Sequence, residues 1–217
     1  MRHHAPMSRI GRYITPVLEV DRKPFMVPRE ADDPIIADFR SGNLKVGIAT
    51  SAWPVAYGFN HWMEGSTELQ LPAPIFEWES VAAFRPGDPI VVIRLGNAAQ
   101  AFMQIREGFA VPCPQGAREP LVYVSFLEVA PWNMAHAEHR QFRGLGQLML
   151  RFASQRSAQL GFGGRIGLHA TSTAEPFYQS LGLETPICPN EYNELYFELS
   201  QSQAHRLLDN QPEGGGT

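Results

Sequence analysis

Cysteine is nearly absent from this chain, with two in 217 residues, Cys113 and Cys188, each beside a proline. So few exclude a disulfide scaffold, their spacing fits no zinc site, and a reducing, cytoplasmic setting is expected. Long apolar runs are missing too: no window approaches the roughly 18–20 residues that a membrane span requires. The opening Met1-Arg-His-His-Ala-Pro-Met7 is followed by no apolar stretch, so no signal peptide is expected. Positive charge does not predominate. Lysine plus arginine number 18 against 22 acidic residues, a net charge of −4, which speaks against broad nucleic-acid binding. No internal repeat and no Gly-x-Ser-x-Gly elbow occur, so a covalent acyl-enzyme has no evident nucleophile. What is plentiful is apolar: 44% of residues, enough for a real core in one large domain or one domain with extensions.

The run Gln141-Phe142-Arg143-Gly144-Leu145-Gly146 has the form Gln/Arg-x-x-Gly-x-Gly/Ala. It stands between an apolar strand-like segment, Leu121–Val129, and an amphipathic helix carrying Leu145, Leu148, Met149 and Phe152 at helical spacing. A glycine-rich turn that opens a helix presents backbone N–H groups to phosphate, with the positive end of the helix dipole behind them. Glycine suits the turn because side chains would hold the backbone off the phosphates. Charge points the same way. From His139 to Ala174 there is no Asp or Glu but five arginines, Arg140, Arg143, Arg151, Arg156 and Arg165, so the rest of the chain sums to −9. A positive patch in an acidic chain suits a polyanionic small ligand. Arg140 and Arg143, at or inside the turn, are candidates for phosphate contact. Arg151 and Arg156 are as readily read as solvated surface residues.

Downstream, Gly161, Gly163 and Gly164 end the first helix and Arg165–Ala170 reads as a short buried strand. A second helix is expected from Ser172 or Thr173; it carries Phe177, Tyr178 and Leu181 and stops at Gly182. Pro176 falls in its first turn, where a missing N–H is tolerated. Strand, phosphate turn, helix, strand, helix with Phe-Tyr and a closing Gly: over residues 119–200 this order resembles the GNAT superfamily of acyl-CoA N-acyltransferases. The resemblance implies an α/β fold, a mixed central sheet flanked by helices, with acetyl-CoA as co-substrate and no metal. It implies that Gln141, Phe142, Arg143, Gly144, Leu145 and Gly146 grip the pyrophosphate, and that Leu127 and Val129 on the central strand lie along the pantetheine arm. Thr171 stands where the family often has an Asn that contacts that arm, but threonine has no amide to make two bonds. One departure is the connection Ala130–Arg140, longer than usual by roughly half a dozen residues. Its Trp132, Asn133, His136, Glu138 and His139 are open to two readings, substrate contact and ordinary surface loop.

Acetyl transfer from a thioester to an amine requires the thioester to be held, its carbonyl polarised, the ammonium deprotonated and the departing thiolate protonated. Glu128 on the central strand is the candidate base, because apolar neighbours raise a carboxylate's pKa towards the working range. Period-2 alternation equally allows it to point to solvent or into an ion pair. Tyr178 matches the Tyr of the family's Phe-Tyr-x-x-x-Gly pattern and is the candidate acid; the other reading is a core tyrosine beside Phe177 and Leu181. His169, at a strand end, is either a base near neutral pH or a satisfied polar residue. The implied activity is N-acetyl transfer to a primary amine by direct attack, the acceptor being a small molecule, peptide or protein. Two alternatives stand beside it: a catalytically inactive acyl-CoA-binding regulatory module, and a toxin acetylating aminoacyl-tRNA, which would need a basic surface at the acetyl site. Homodimerisation is left open.

Three regions are expected along the chain: an N-terminal extension, 1–43, with a strand at Tyr13–Val20; the acyltransferase domain, 44–200; and a C-terminal tail, 201–217, partly disordered, with a short amphipathic piece at Ala204–Leu208. Within the domain, Lys45–Thr50 reads as the first strand. Residues 51–89 should hold short helices but carry a poor helical signal. Ile90–Leu95 and Ala99–Glu107 around Gly96-Asn97 read as a hairpin, a Pro-rich loop covers Val111–Pro120, and Glu194–Leu199 is a final strand.

Overall fold

A computed structural model of the chain describes residues 44–49, 52–95, 98–110, 119–137, 140–184, 189–190 and 192–209. The strand expected at Tyr13–Val20, the Gly96-Asn97 turn, most of the Val111–Pro120 loop, Glu138, His139 and the chain end after 209 lie outside these residues. Among the described residues, six strands, β1 (Leu44–Ile48), β2 (Ile90–Leu95), β3 (Ala98–Phe109), β4 (Leu121–Val129), β5 (Ile166–Ala170) and β6 (Leu195–Leu199), form one sheet in chain order. Every neighbouring pair is antiparallel except β4 and β5, which are parallel. A parallel pair needs a long crossover, and helix α3 (Leu145–Gln159) supplies it. The α/β class expected from the sequence, a mixed sheet flanked by helices, is what the structure shows.

Alternation along the strands gives the sheet two apolar faces. Val91, Ile93, Met103, Ile105, Val122 and Val124 pack against Leu148, Met149 and Phe152 of α3. On the other face, Val92 and Phe102 meet Trp62 of α1 (Ala52–Glu68) and Trp78 of α2 (Trp78–Phe84). The Phe102 ring lies 4.7 Å from Trp62 and 5.2 Å from Trp78, centroid to centroid. Helix α1 runs for 17 residues where only short helices were expected. Its sequence reads poorly because Gly58 and Gly65 weaken helix propensity. Both are packing glycines: an added Cβ would stand 2.6 Å from the Phe102 ring at Gly58 and 2.7 Å from the Trp132 ring at Gly65. Close approach of Phe102 from β3 and of Trp132 from the turn after β4 is what their missing side chains permit.

A bulge in β4 decides which way the central strand faces. Ile105 pairs with Val124 and Gln104 with Phe126, so Ser125 is an extra residue. Alternation therefore changes phase: Val122 and Val124 face α3 before the bulge, and Leu127 and Val129 do so after it. Phe126 is turned to the α1–α2 side. Two further elements differ from expectation. Helix α4 is shorter, Glu175–Ser180, with turn structure before it instead of a helical start at Ser172 or Thr173. The segment read as a tail begins with helix α5 (Gln201–Asp209), whose Ala204 and Leu207 are buried in the α3-side core.

Candidate active site

Strands β4 and β5 pair at only three positions, Val122–Ile166, Tyr123–Gly167 and Val124–Leu168. Past Val124 the β4 edge continues to Val129 with no β5 partner, so a gap opens through the sheet and main-chain groups of β4 border it. A cavity of about 910 Å³ occupies this gap, lined by Ser125, Phe126 and Leu127 of β4, Leu168 to Ala170 of β5, Thr171, Tyr178 of α4, and residues of α2 and of the chain before β6. The Ser125 hydroxyl, at the bulge, is shielded and has no hydrogen-bond partner among the described residues.

The turn before α3 is built from behind. Gln100, buried at a second bulge in β3, accepts from Trp132 Nε1 at 3.1 Å and from Asn133 Nδ2 at 2.9 Å. Asn133 Oδ1 in turn accepts from the Phe142 N–H at 2.9 Å. Trp132 and Asn133 of the long connection are thus fixed parts of the scaffold, while His136 is exposed. Phe142 is buried; Gln141, Arg143 and Gly144 are exposed. Gly144 has φ +79°, the left-handed region that favours glycine. No side chain caps α3, and the N–H groups of Gly144, Leu145 and Gly146 have no partner among the described residues. An uncapped helix start with a glycine before it is able to take an anion. Gly146 has a further reason to be glycine: a Cβ there would lie 3.1 Å from the Phe177 ring of α4.

Only part of the positive patch remains unpaired. Arg156 makes a two-pronged pair with Glu107, at 2.7 and 3.3 Å. Arg165 is buried between Glu198 and Glu119. Arg151 is buried too, and Arg140 Nη2 donates to the Ala135 carbonyl at 2.7 Å. Arg143 is the exposed cation at the turn.

Glu128 and Tyr178, the two residues expected to do the chemistry, are placed differently. After the bulge Glu128 is turned to the α1–α2 side and is 5% exposed. Its Oε1 accepts from the Ile75 N–H, and its Oε2 from Trp78 Nε1 at 2.9 Å and the Phe76 N–H at 3.3 Å. Burial raises its pKa above the ordinary carboxylate value, and the three donors hold that rise back. It is not among the residues lining the cavity; Ile75 and Phe76, which it holds, are. Tyr178 does line the cavity, 7% exposed, with its ring 5.7 Å from Phe197. Burial pushes its phenol up to about 12, and its hydroxyl makes no hydrogen bond to a described residue. Thr171 is exposed at the cavity, its Oγ1 3.2 Å from that of Thr173. Leu127 lines the cavity, whereas Val129 is half-buried against the core.

Sequence reasoning did not single out Tyr123. Its hydroxyl lies 2.7 Å from His169 Nδ1 across the β4–β5 pair, and both residues line the cavity. The only signal available was the apolar strand itself, which does not reveal which strand stands beside it.

No protein-family model matches the chain, and no curated protein matches it. Solved structures similar to it include a point mutant of the toxin AtaT bound to the C-terminus of the antitoxin AtaR and acetyl-CoA. That match has 16% identity and TM-score 0.47, covering 78% of this chain and 99% of that one. Another is the Bacillus subtilis N-acetyltransferase YlbP in complex with coenzyme A, with 16% identity and TM-score 0.47, covering 71% and 95%. A third is an acetyltransferase from Thermus thermophilus, with 18% identity and TM-score 0.42, covering 72% and 96%.

Proposed function

We propose that this chain is an N-acetyltransferase that passes an acetyl group from acetyl-CoA to a primary amine by direct attack. The observation that carries the reading is the gap where β4 and β5 part, with Tyr178 beside it and an uncapped helix start at the turn before α3. The residues present fit the co-substrate. Main-chain N–H groups of Gly144, Leu145 and Gly146 would hold the pyrophosphate, with Arg143 adding charge. The unpaired β4 edge at Leu127 to Val129 offers main-chain partners to the amide-bearing pantetheine arm, and Thr171 adds a hydroxyl at the cavity. Gln141 and Phe142 shape the turn: the Phe142 N–H is already engaged by Asn133.

Tyr178 donates its phenolic hydrogen to the sulfur as the carbon–sulfur bond breaks. Glu128 acts as a positioning residue, because three N–H donors converge on it and it holds Ile75 and Phe76 as a wall of the cavity. That same engagement favours a second reading, a CoA-binding module without catalysis. One experiment separates the two: calorimetry with acetyl-CoA, followed by thiol release against a panel of primary amines including phenethylamine, lysine and a peptide N-terminus. Binding with turnover supports the enzyme, binding without turnover the module, and no binding removes both.

A further inference from the structure

With Glu128 committed to the 75–78 segment, the proton of the attacking nitrogen needs another acceptor among the residues that line the cavity. We propose that Tyr123 and His169 form that proton acceptor, a two-residue relay set at the point where β4 and β5 part; this rests on the acyl-transfer reading above. Tyr123 sits at the middle of the three β4–β5 pairings, opposite Gly167, and His169 follows immediately after the last. Their contact, hydroxyl to Nδ1 at 2.7 Å, therefore spans the gap at its closed end.

Alternation places the relay correctly for direct attack. Val122, Val124, Leu168 and Ala170 belong to the core on the α3 side, and Tyr178 packs into that same core. Tyr123 and His169, being the intervening residues, project to the opposite face. Acid and relay thus border one cavity from the two sides of the sheet, so an amine can meet one face of the thioester carbonyl beside the relay while the sulfur lies beside Tyr178.

The imidazole is held in place. Its ring lies 5.9 Å from Tyr123 and 5.3 Å from Tyr196 of β6, centroid to centroid. Tyr196 does not compete for the Tyr123 hydroxyl, because its own hydroxyl donates to Glu198 Oε2 at 2.8 Å, and Glu198 is paired with Arg165. Among the described residues, Glu194 from the chain before β6, Arg106 of β3 and Arg85 beyond α2 also act on the Tyr123 phenol. Burial first, and Glu194 second, push the Tyr123 phenol up to about 12, so it stays protonated and passes a proton on instead of storing the charge.

The step balances. The amine nitrogen bonds to the thioester carbonyl carbon, and its surplus proton moves to Tyr123 Oη as the Tyr123 hydrogen moves to His169 Nδ1. The carbon–sulfur bond breaks, its electron pair goes to sulfur, and Tyr178 supplies the sulfur's proton. Exchange with water then returns a proton from the imidazolium to the Tyr178 oxygen, so the net change is one proton moved from nitrogen to sulfur.

The test uses the full chain. Tyr123→Phe and His169→Gln should each lower kcat by roughly 10²–10⁴-fold, the usual range for a general base, measured with acetyl-CoA and the fastest amine of the panel. The double variant should lose little more than either single one, since the two act as a unit. Acetyl-CoA affinity should be unchanged. The wild-type acidic limb of kcat against pH should vanish in His169→Gln, because the relay requires a neutral imidazole at rest. Full turnover with the acidic limb intact in either variant, or additive losses, would overturn the relay. A second measurement needs no variant: ¹⁵N NMR of wild-type His169 should show Nδ1 unprotonated and hydrogen-bonded. A proton on Nδ1 would overturn the proposal whether or not the variants fold. Failure of wild-type turnover with every amine would count against the acyl-transfer reading instead, and is seen separately.

Discussion

Removing the Tyr178 hydroxyl isolates the chemistry of the leaving group from the stability of the fold. The phenol is buried, yet its oxygen has no partner among the described residues, while the ring packs 5.1 Å from Phe177 and 5.7 Å from Phe197. Tyr178→Phe keeps the ring, so stability should change by less than about 1 kcal/mol, the net value of a typical hydrogen bond. The effect on rate is larger. A phenol at about 12 facing a thiol of ordinary pKa, about 8.5, is mismatched by roughly 3.5 units, or about 5 kcal/mol for outright transfer. The phenol therefore acts first as a hydrogen-bond donor to the sulfur as charge develops there. Transfer completes only because the same burial makes the thiolate more basic. A general acid contributes about 10²–10⁴-fold, so kcat should fall by at least roughly 10²-fold, about 2.7 kcal/mol, with acetyl-CoA affinity unchanged. The acid works while protonated and is lost only as pH rises through about 12. Thiol-release kinetics should accordingly show no basic limb from this residue between about pH 6 and 10, the span where a tuned acid would titrate. Undiminished turnover in Tyr178→Phe would refute the acid role. A basic limb near pH 9 that Tyr178→Phe abolishes would refute the raised phenol.

Glu128→Gln places an amide where a carboxylate oxygen accepted, leaving at least one of the Ile75, Phe76 and Trp78 donors unpaired, at about 1–3 kcal/mol by denaturant titration. The acceptor KM should rise while kcat stays within a few-fold; a collapse of kcat with intact fold and KM would make Glu128 the base. Gly144→Val forces a branched side chain into φ +79°, and Gly146→Val drives one against Phe177. Each should weaken acetyl-CoA by at least about tenfold, 1.4 kcal/mol, and unchanged calorimetric affinity would leave the turn as a helix start only. At alkaline pH the folded chain keeps the Tyr178 proton that the unfolded chain releases near pH 10, so stability should decline as pH rises from about 10 to 12, by up to about 3 kcal/mol. Urea melts of Tyr178→Phe should lack that part of the decline.

Much of the α3 half of the fold was legible, because its signals are local. Periodicity in Leu121–Val129, the Gly144 turn and the Leu145–Phe152 stripe each report their own element, and β4, α3, β5 and α4 follow in the expected order. Helix α1 was not legible: Gly58 and Gly65 weaken a helix taken alone, and only the Phe102 and Trp132 rings packed against them show why they are there. The charge argument was likewise partial. Counting arginines is possible from the chain, but their pairing with Glu107, Glu119 and Glu198 comes from residues 33 to 49 positions away.

The sequence by itself determined the strand–turn–helix order and the place of the cavity-lining tyrosine on α4, since glycine φ preference and helical spacing act within a few residues. Tertiary structure alone decided the direction of Glu128 and the meeting of Tyr123 with His169. One extra residue at Ser125 reverses the facing of everything after it on β4, and a parallel register joins side chains 46 residues apart. Neither a bulge nor a register has a local signature, because each is set by the neighbouring strand.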